Sequence, residues 1–332
     1  MIGSVTLDLG DAMERYETWE RPTVVIVDGP YGLRSFPGDP PTVEELPEWY
    51  APHVAAWSKA ALPETSLWFW GTELSWATVH PVLRLHGWDY RTAYVWDKGK
   101  AHIAGNVNSR SLRKFPVVTE LIVHYERRVV LAAGDGRQLP IKDWLRAEWS
   151  RSGLSFSQTN DACGVANAAT RKYFTTDWRW YFPPPEMMVR LADYANLHGA
   201  ATGRPYFSLD GQTPLTAGAW AKMRSKWHYV HGITNVWAAP ALHGSERLRN
   251  GNGLQSAHMN QKPLALTERM ILATSDPGDV VWEPFGGLCT GAVASLRTER
   301  RAFAAEILPA YYELAVARLE DEARDREDAR AG

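Results

Sequence analysis

Two apolar runs near opposite ends of the chain limit what it can fold into. Val24-Val25-Ile26-Val27 stops at Asp28 and enters Gly29-Pro30-Tyr31. Val280-Val281-Trp282 stops at Glu283 and enters Pro284-Phe285-Gly286-Gly287. A short, continuous, β-branched run closed by a turn is the pattern of a strand buried on both faces, which belongs in a parallel sheet covered by helices. In open α/β sheets, ligands bind outside the carboxyl ends of the strands. Two such ends, distant in sequence, can therefore face one cleft.

The rest of the chain supports that frame. The pattern predicts strands over Thr23–Val27, Ser66–Trp70, Tyr90–Trp96 and Val117–Tyr125, with helices over Leu46–Ala61 and Trp76–His86. After Arg127-Arg128 the alternation lapses into Trp, Arg and polar loop residues, broken by Pro183-Pro184-Pro185. It returns with a helix over Leu264–Ala273, a strand over Asp279–Pro284, a helix over Thr290–Leu296, a strand over Arg301–Glu306 and a final helix over Pro309–Leu319. Strands alternating with helices predict an α/β fold with a mostly parallel, doubly wound sheet. We expect one discontinuous domain, residues 21–126 and 232–320, interrupted by a recognition domain over 127–231. A chain of 332 residues has room for both.

Composition narrows the class further. The net charge of −2 neither supports nor excludes nucleic acid, which needs only a local basic face. Cys163 and Cys289 lack metal-ligand spacing and form no disulfide framework, which suits a reducing cytosol. The N-terminus carries Asp8 and Asp11 and no long apolar run, so no secretory signal is expected there. No apolar stretch is long enough to span a bilayer. The sixteen Trp are expected mostly in the core, with some free to stack on bases.

Gly286-Gly287-Leu288-Cys289-Thr290-Gly291, between a strand and a helix, fits a dinucleotide or adenosyl site, because glycines let the backbone approach a ligand closely. Glu306 follows about twenty residues on, where an acid grips a ribose diol. A plain βαβ turn has the same local pattern, and an NAD-dependent oxidoreductase is not excluded by it. No Gly-Lys-Ser/Thr follows, so it is not a P-loop.

Several segments together resemble bacterial site-specific DNA amino-methyltransferases. These are His258-Met259-Asn260-Gln261-Lys262-Pro263, Leu266-Thr267-Glu268-Arg269, Asp276-Pro277-Gly278-Asp279, Glu283-Pro284-Phe285-Gly286-Gly287, Arg301 and Glu306. Asp28-Gly29-Pro30-Tyr31 resembles the catalytic tetrapeptide of that family, with Gly29 where the family has Pro. Glu283 replaces the usual Asp, and Leu288-Cys289 replaces Ser-Gly. Catalytic turn first, recognition insert second and methyl-donor site last is the permuted order of the β group.

The resemblance implies a Rossmann-like fold that binds S-adenosylmethionine and releases S-adenosylhomocysteine. It implies Asp28, Thr234, Asn235, His258, Gln261, Lys262, Pro263, Glu283, Phe285, Gly286, Gly287 and Glu306 at the donor. Asp28, Gly29, Pro30 and Tyr31 would be catalytic. The lone pair of an exocyclic amine is delocalised into its ring. Asp28 and the Gly29 carbonyl would hold its two hydrogens and free that pair for attack, Pro30 would stiffen the turn, and Tyr31 would stack on the flipped base. The implied substrate is double-stranded DNA, with cytosine N4 preferred over adenine N6. A catalytically inactive DNA-binding homologue and an RNA target are the other readings. A homodimer, a cognate restriction endonuclease and a cytoplasmic, nucleoid-associated location follow from the same resemblance. No metal or membrane is implied.

Within the insert, a helix through Ile141–Ser150 and a turn and short helix over Gly164–Phe174 read as a helix-turn-helix. Asn167, Thr170, Arg171 and Lys172 would then face DNA, although a solvated helix face has the same pattern. Arg110, Arg113, Lys114, Arg224 and Lys226 are candidate phosphate contacts.

Overall fold

The β-branched and aromatic runs assemble into one eight-stranded sheet in the computed structural model, which describes residues 1–33, 38–100, 113–242, 244, 246–249, 256–258 and 260–331. In chain order the strands are β1 (Val5–Leu9), β2 (Val24–Val27), β3 (Ser66–Gly71), β4 (Trp88–Asp97), β5 (Thr119–Arg127), β6 (Val130–Ala132), β7 (Gln138–Pro140), β8 (Val236–Ala238), β9 (Val280–Glu283) and β10 (Arg301–Glu306). The sheet order is β1-β10-β9-β2-β3-β5-β4-β8, and β6 and β7 form a separate ladder. Among the described residues of the large sheet, only β5 runs against its neighbours β3 and β4 and the other pairings are parallel, while β6 and β7 pair antiparallel. The fold is thus mixed α/β with a large, mostly parallel sheet.

Alternation along β2 shows why the sheet is covered on both faces. Val24 and Ile26 pack into one apolar layer with Trp68, Val281 and Met270. Val25 and Val27 pack into the other with Leu67, Phe69, Tyr50 and Trp282. Each fully buried side chain of this size contributes about 1.5–3 kcal/mol, so neither face tolerates water. Helices α1 (Leu46–Ala60) and α2 (Glu73–Leu85) cover the second layer, and α8 (Leu264–Thr274) and α9 (Thr290–Arg297) the first. The Thr72 hydroxyl caps α2 by accepting from the Ser75 N–H.

The structure departs from the sequence reading in several elements, and β6, β7, β8 and the helices Pro185–His198 and Ala217–Ala221 were not expected. β1 was not expected; its half-buried residues pair with β10 in parallel register, Val5 opposite Ala302. The last helix, α10, runs Pro309–Ala331, beyond the expected end at Leu319, and Arg297 holds its polar part by pairing with Glu322 at 2.8 Å. α4 (Gln158–Cys163) also intervenes in the insert.

The chain divides into two compact units, Met1–Arg127 with Ser225–Gly332, and Arg128–Arg224. The second unit holds α3 (Ile141–Arg151), α4, α5 (Ala168–Tyr173), α6 (Pro185–His198) and α7 (Ala217–Ala221) around Trp144, Trp149, Phe174, Phe207 and Trp220. Its buried Glu148 carboxylate accepts from Arg151 at 2.7 Å and from the Phe207 N–H at 2.9 Å. Because α4 stands between them, α3 and α5 are not consecutive helices. The short pair α4–α5 is joined through Gly164 in the left-handed region, φ 67°. Charge is unevenly shared: this unit carries twelve Lys/Arg against eight Asp/Glu, and the rest of the chain 24 against 30. No helix among the described residues is long and apolar enough to cross a membrane.

Candidate functional site

β2 and β9 are neighbours in parallel register, Val24 opposite Val281, so Asp28 and Glu283 leave the sheet at the same carboxyl edge. Beyond that edge lies a cavity of about 380 Å³, inside the range of small-molecule sites. Asp28, Gly29, Pro30, Tyr31, His258, Gln261, Lys262, Glu283, Phe285, Gly286, Gly287 and Glu306 all line it. The two turns seen in the sequence therefore share one cavity.

The acid turn is held by charge. The Lys262 ammonium donates to Asp28 Oδ1 at 2.9 Å and lies 3.7 Å from Glu120 Oε2. The Tyr31 hydroxyl donates to Asp28 at 3.0 Å and to Glu120 at 3.4 Å, and Lys98 pairs with Glu120 on its other oxygen. Burial raises the Asp28 carboxyl above the usual range, against the pull of Lys262. Burial alone would depress the Lys262 ammonium, but Asp28 and Glu120 together hold it above its ordinary value. Tyr50 fastens the turn from below by donating to the Pro30 carbonyl at 3.1 Å.

The glycine turn is held by backbone N–H groups. Glu283 accepts from Gly291 at 2.7 Å and Ala292 at 2.8 Å, the first turn of α9. Burial still pushes its carboxyl up to about 8. Glu306, at the end of β10, accepts from Gly287 at 2.7 Å and Leu308 at 2.8 Å, so its direction is set before any ligand arrives. Gly287 has φ 53°, and Cys289 adopts φ 54° to start α9, a left-handed cap unusual for a residue with a side chain. Burial, then the charges of Lys262 and Arg247, depress the His258 imidazole to about 4, and its ring meets Tyr311 edge-on at 4.7 Å.

Several site residues escaped the sequence reading. β1 delivers Gly10 and Asp11 to the cavity, since the Gly10 N–H donates to the Glu306 carbonyl at 2.9 Å. Trp49 and His53 of α1, Trp70 of β3 and Tyr311 of α10 also line it. Among the described residues, no group of three or more His, Cys, Asp or Glu side chains could hold a metal ion.

The structure does not bring Thr234 and Asn235 to the cavity. They are exposed just before β8, the far edge strand, with β2, β3, β5 and β4 between it and β9. Pro263 caps α8 rather than lining the cavity. In the second unit Asn167, Arg171 and Lys172 are exposed. Thr170 is not available to a partner, since its hydroxyl meets Thr159 at 2.9 Å and donates to the Phe156 carbonyl at 2.8 Å. Arg224 lies over the Phe182 ring at 4.7 Å, and Arg113 and Lys114 are exposed. Arg110 lies outside the described residues.

A family model described as DNA methylase matches residues 23–317. The chain is 36% identical over 86 residues to the DNA adenine methyltransferase YhdJ of Escherichia coli (strain K12), covering 26% of this chain and 27% of that one. It is 37% identical over 89 residues to the Type II methyltransferase M.HpaI of Haemophilus parainfluenzae, covering 27% and 26%. The alignments thus span about a quarter of either relative. Among solved structures, the PvuII DNA methyltransferase (cytosine-N4-specific) superposes with a TM-score of 0.53 at 12% identity, over 96% of this chain and 91% of that one. The M1.HpyAVI–SAM complex superposes at 0.52 and 14% identity, over 95% and 98%. At such identities these superpositions show a shared fold.

Proposed function

Because the chain belongs to the DNA methylase family, whose model covers most of its length, we propose that it methylates an exocyclic amine in duplex DNA, with S-adenosylmethionine as donor. One observation carries this reading: the Asp28–Tyr31 turn and the Glu283–Gly287 turn, from adjacent parallel strands, line the same cavity.

The cavity residues suit that donor. Glu306 offers a carboxylate, already oriented by two N–H groups, to a ribose diol. Phe285 and Tyr311 offer rings to an adenine, and the glycines at 286 and 287 keep side chains out of the cradle. When bound, S-adenosylmethionine supplies an electrophilic methyl group. The chain's own part is electrostatic. Asp28 and the Gly29 carbonyl receive the amine hydrogens, Tyr31 meets the base, and the target leaves the duplex to arrive there.

The amine is cytosine N4 in the first reading and adenine N6 in the second. The basic second unit, with Asn167 exposed just before α5 and Arg171 and Lys172 exposed on it, is proposed to read the duplex. Sizing by light scattering tests the homodimer expected of the β group. A nuclease blocked by the product modification is the expected cognate restriction partner. Incubation with S-adenosylmethionine and unmodified duplex, then digestion to nucleosides and mass analysis, tests the activity. N4-methylcytosine or N6-methyladenine supports it and names the base, while unmodified nucleosides refute it.

A further inference from the structure

Lys262 is buried, 5% exposed, and stands against the carboxylate that the proposed reaction needs for the substrate amine. Its ammonium presents N–H donors to Asp28, as an exocyclic amine would. A second acceptor waits behind it. Glu120 Oε2 is 3.7 Å from the same nitrogen, and Glu120 is not part of the cavity wall. The Tyr31 hydroxyl repeats the arrangement, 3.0 Å from Asp28 and 3.4 Å from Glu120. Among the described residues both side-chain donors to Asp28 share its Oδ1; Lys262 also donates to the Asn260 carbonyl at 3.2 Å on the cavity wall, and Glu120 Oε2 is the further acceptor the two donors have in common, outside that wall.

Resting on the amino-methylation reading above, we infer that Lys262 is an exchangeable placeholder for the target amine, held by Asp28 at rest and passed to Glu120 when the base arrives. A bare carboxylate at this depth is costly, so the empty site keeps a cation on it. A carboxylate that retains the cation is a poor acceptor for a neutral amine. The shift needed for Lys262 to reach hydrogen-bond distance of Glu120 is under about an ångström.

The exchange also accounts for the proton. The amine nitrogen uses its lone pair to form the N–C bond, and the pair of the broken S–C bond stays on sulfur. The nitrogen then carries one hydrogen too many. Asp28, relieved of Lys262, takes that proton and later releases it to water as Lys262 returns. Burial raises the proton affinity of Asp28, and Glu120 adds to it, which suits an acceptor. Glu120 is held low by Lys262 and Lys98 against its own burial, so it stays an anion able to receive the lysine. Tyr31, Tyr50 and Glu283 are the other titratable groups whose charges couple to Asp28.

The test uses the full chain and a duplex whose methylated position has been mapped with the wild type. Glu120→Gln should keep donor affinity within about twofold and lose roughly tenfold or more in kcat, with the acidic limb of its pH profile displaced. Glu120→Asp should recover part of the loss. Carbon-13 NMR of labelled lysine gives a readout without turnover. The signal missing from Lys262→Met should move when duplex binds the wild type and stay put when it binds Glu120→Gln. An active wild type whose Glu120→Gln variant keeps its kcat and pH profile overturns the placeholder, as does a lysine signal indifferent to duplex. A wild type that methylates no duplex fails the parent reading instead, and the placeholder with it.

Discussion

A Cβ atom on Gly29 would lie 2.6 Å from the Tyr50 hydroxyl and 2.8 Å from the Phe285 ring. The departure from the family tetrapeptide is therefore enforced from below, by two aromatic side chains that also pack edge-on against each other at 6.2 Å. Gly29→Ala should destabilise the chain by about 1–3 kcal/mol through overpacking and displace the acid turn. Adding Tyr50→Phe should recover part of the melting temperature, because it removes the nearer atom. Thermal melts of Gly29→Ala, Tyr50→Phe and the double variant decide this, with Tyr50→Phe alone measuring the lost hydrogen bond to the Pro30 carbonyl; the absence of coupling between the two changes means the clash lies with Phe285 alone.

Glu283 and Gly291 form a matched pair. The carboxylate reaches the N–H groups of Gly291 and Ala292, and a Cβ on Gly291 would sit 2.8 Å from Glu283 Cδ. Glu283→Asp shortens the acid, loses good geometry at both N–H groups and should cost roughly 1–3 kcal/mol. Gly291→Ala alone should also destabilise. The double variant should cost less than the two singles summed, and urea denaturation of the set measures that coupling.

The legible part of this molecule was what local pattern specifies. Val24–Val27 and Val280–Glu283 announce themselves because strands buried on both faces need unbroken apolar runs, and both turns follow from where those runs stop. β1 was illegible because Val5–Leu9 is an edge strand, short and half-buried, whose partner β10 lies at the other end of the chain. Thr119–Val123, with Tyr94–Lys98, echoes the DNA amino-methyltransferase family but also fits sheet core with exposed ends, so Glu120 received no role of its own. Its partners Lys98, Tyr31 and Lys262 come from three separate segments, and no spacing within any of them signals the meeting. Thr170 failed for the converse reason: helical position alone does not reveal that Thr159 and Phe156 claim its hydroxyl.

His124 is buried on β5, stacked against Trp68 at 4.4 Å and Trp227 at 5.4 Å, and burial depresses its imidazole to about 3. The unfolded chain binds a proton at this residue near pH 6.5 and the folded chain does not. Its contribution to stability is therefore intact above about 6.5 and lost progressively as pH falls toward about 3. Relative to the wild type, His124→Gln should gain stability over that window. Urea midpoints at pH 7 and pH 5 give the comparison, and parallel changes in both proteins would contradict the neutral, buried state.

The second unit should supply affinity for duplex. Arg171→Glu with Lys172→Glu should weaken duplex binding by roughly tenfold or more at moderate salt and flatten its salt dependence, while donor affinity stays unchanged. Trp178, 91% exposed on the loop after α5, is a candidate for stacking, and Trp178→Ala should weaken binding without altering the salt slope. Anisotropy titrations across salt separate the two effects. An unchanged affinity in the charge-reversed variant would place DNA contact elsewhere.

Asp28 is the sharpest case, because the two turns share a cavity but come from different strands. Asp28→Ala removes the acceptor for the amine and leaves the Glu283–Gly287 turn and Glu306 untouched. Methylation should fall by about 10²–10³, the loss typical of one preorganised electrostatic group, near 3 kcal/mol. Donor affinity by calorimetry should change little. Lys262 keeps Glu120 as a partner, so the fold should survive, with Asp28→Asn as the milder control of shape. Loss of donor binding in both variants, with melting temperature preserved, would mean that Asp28 serves the donor and not the base, and the assignment of the two turns would be reversed.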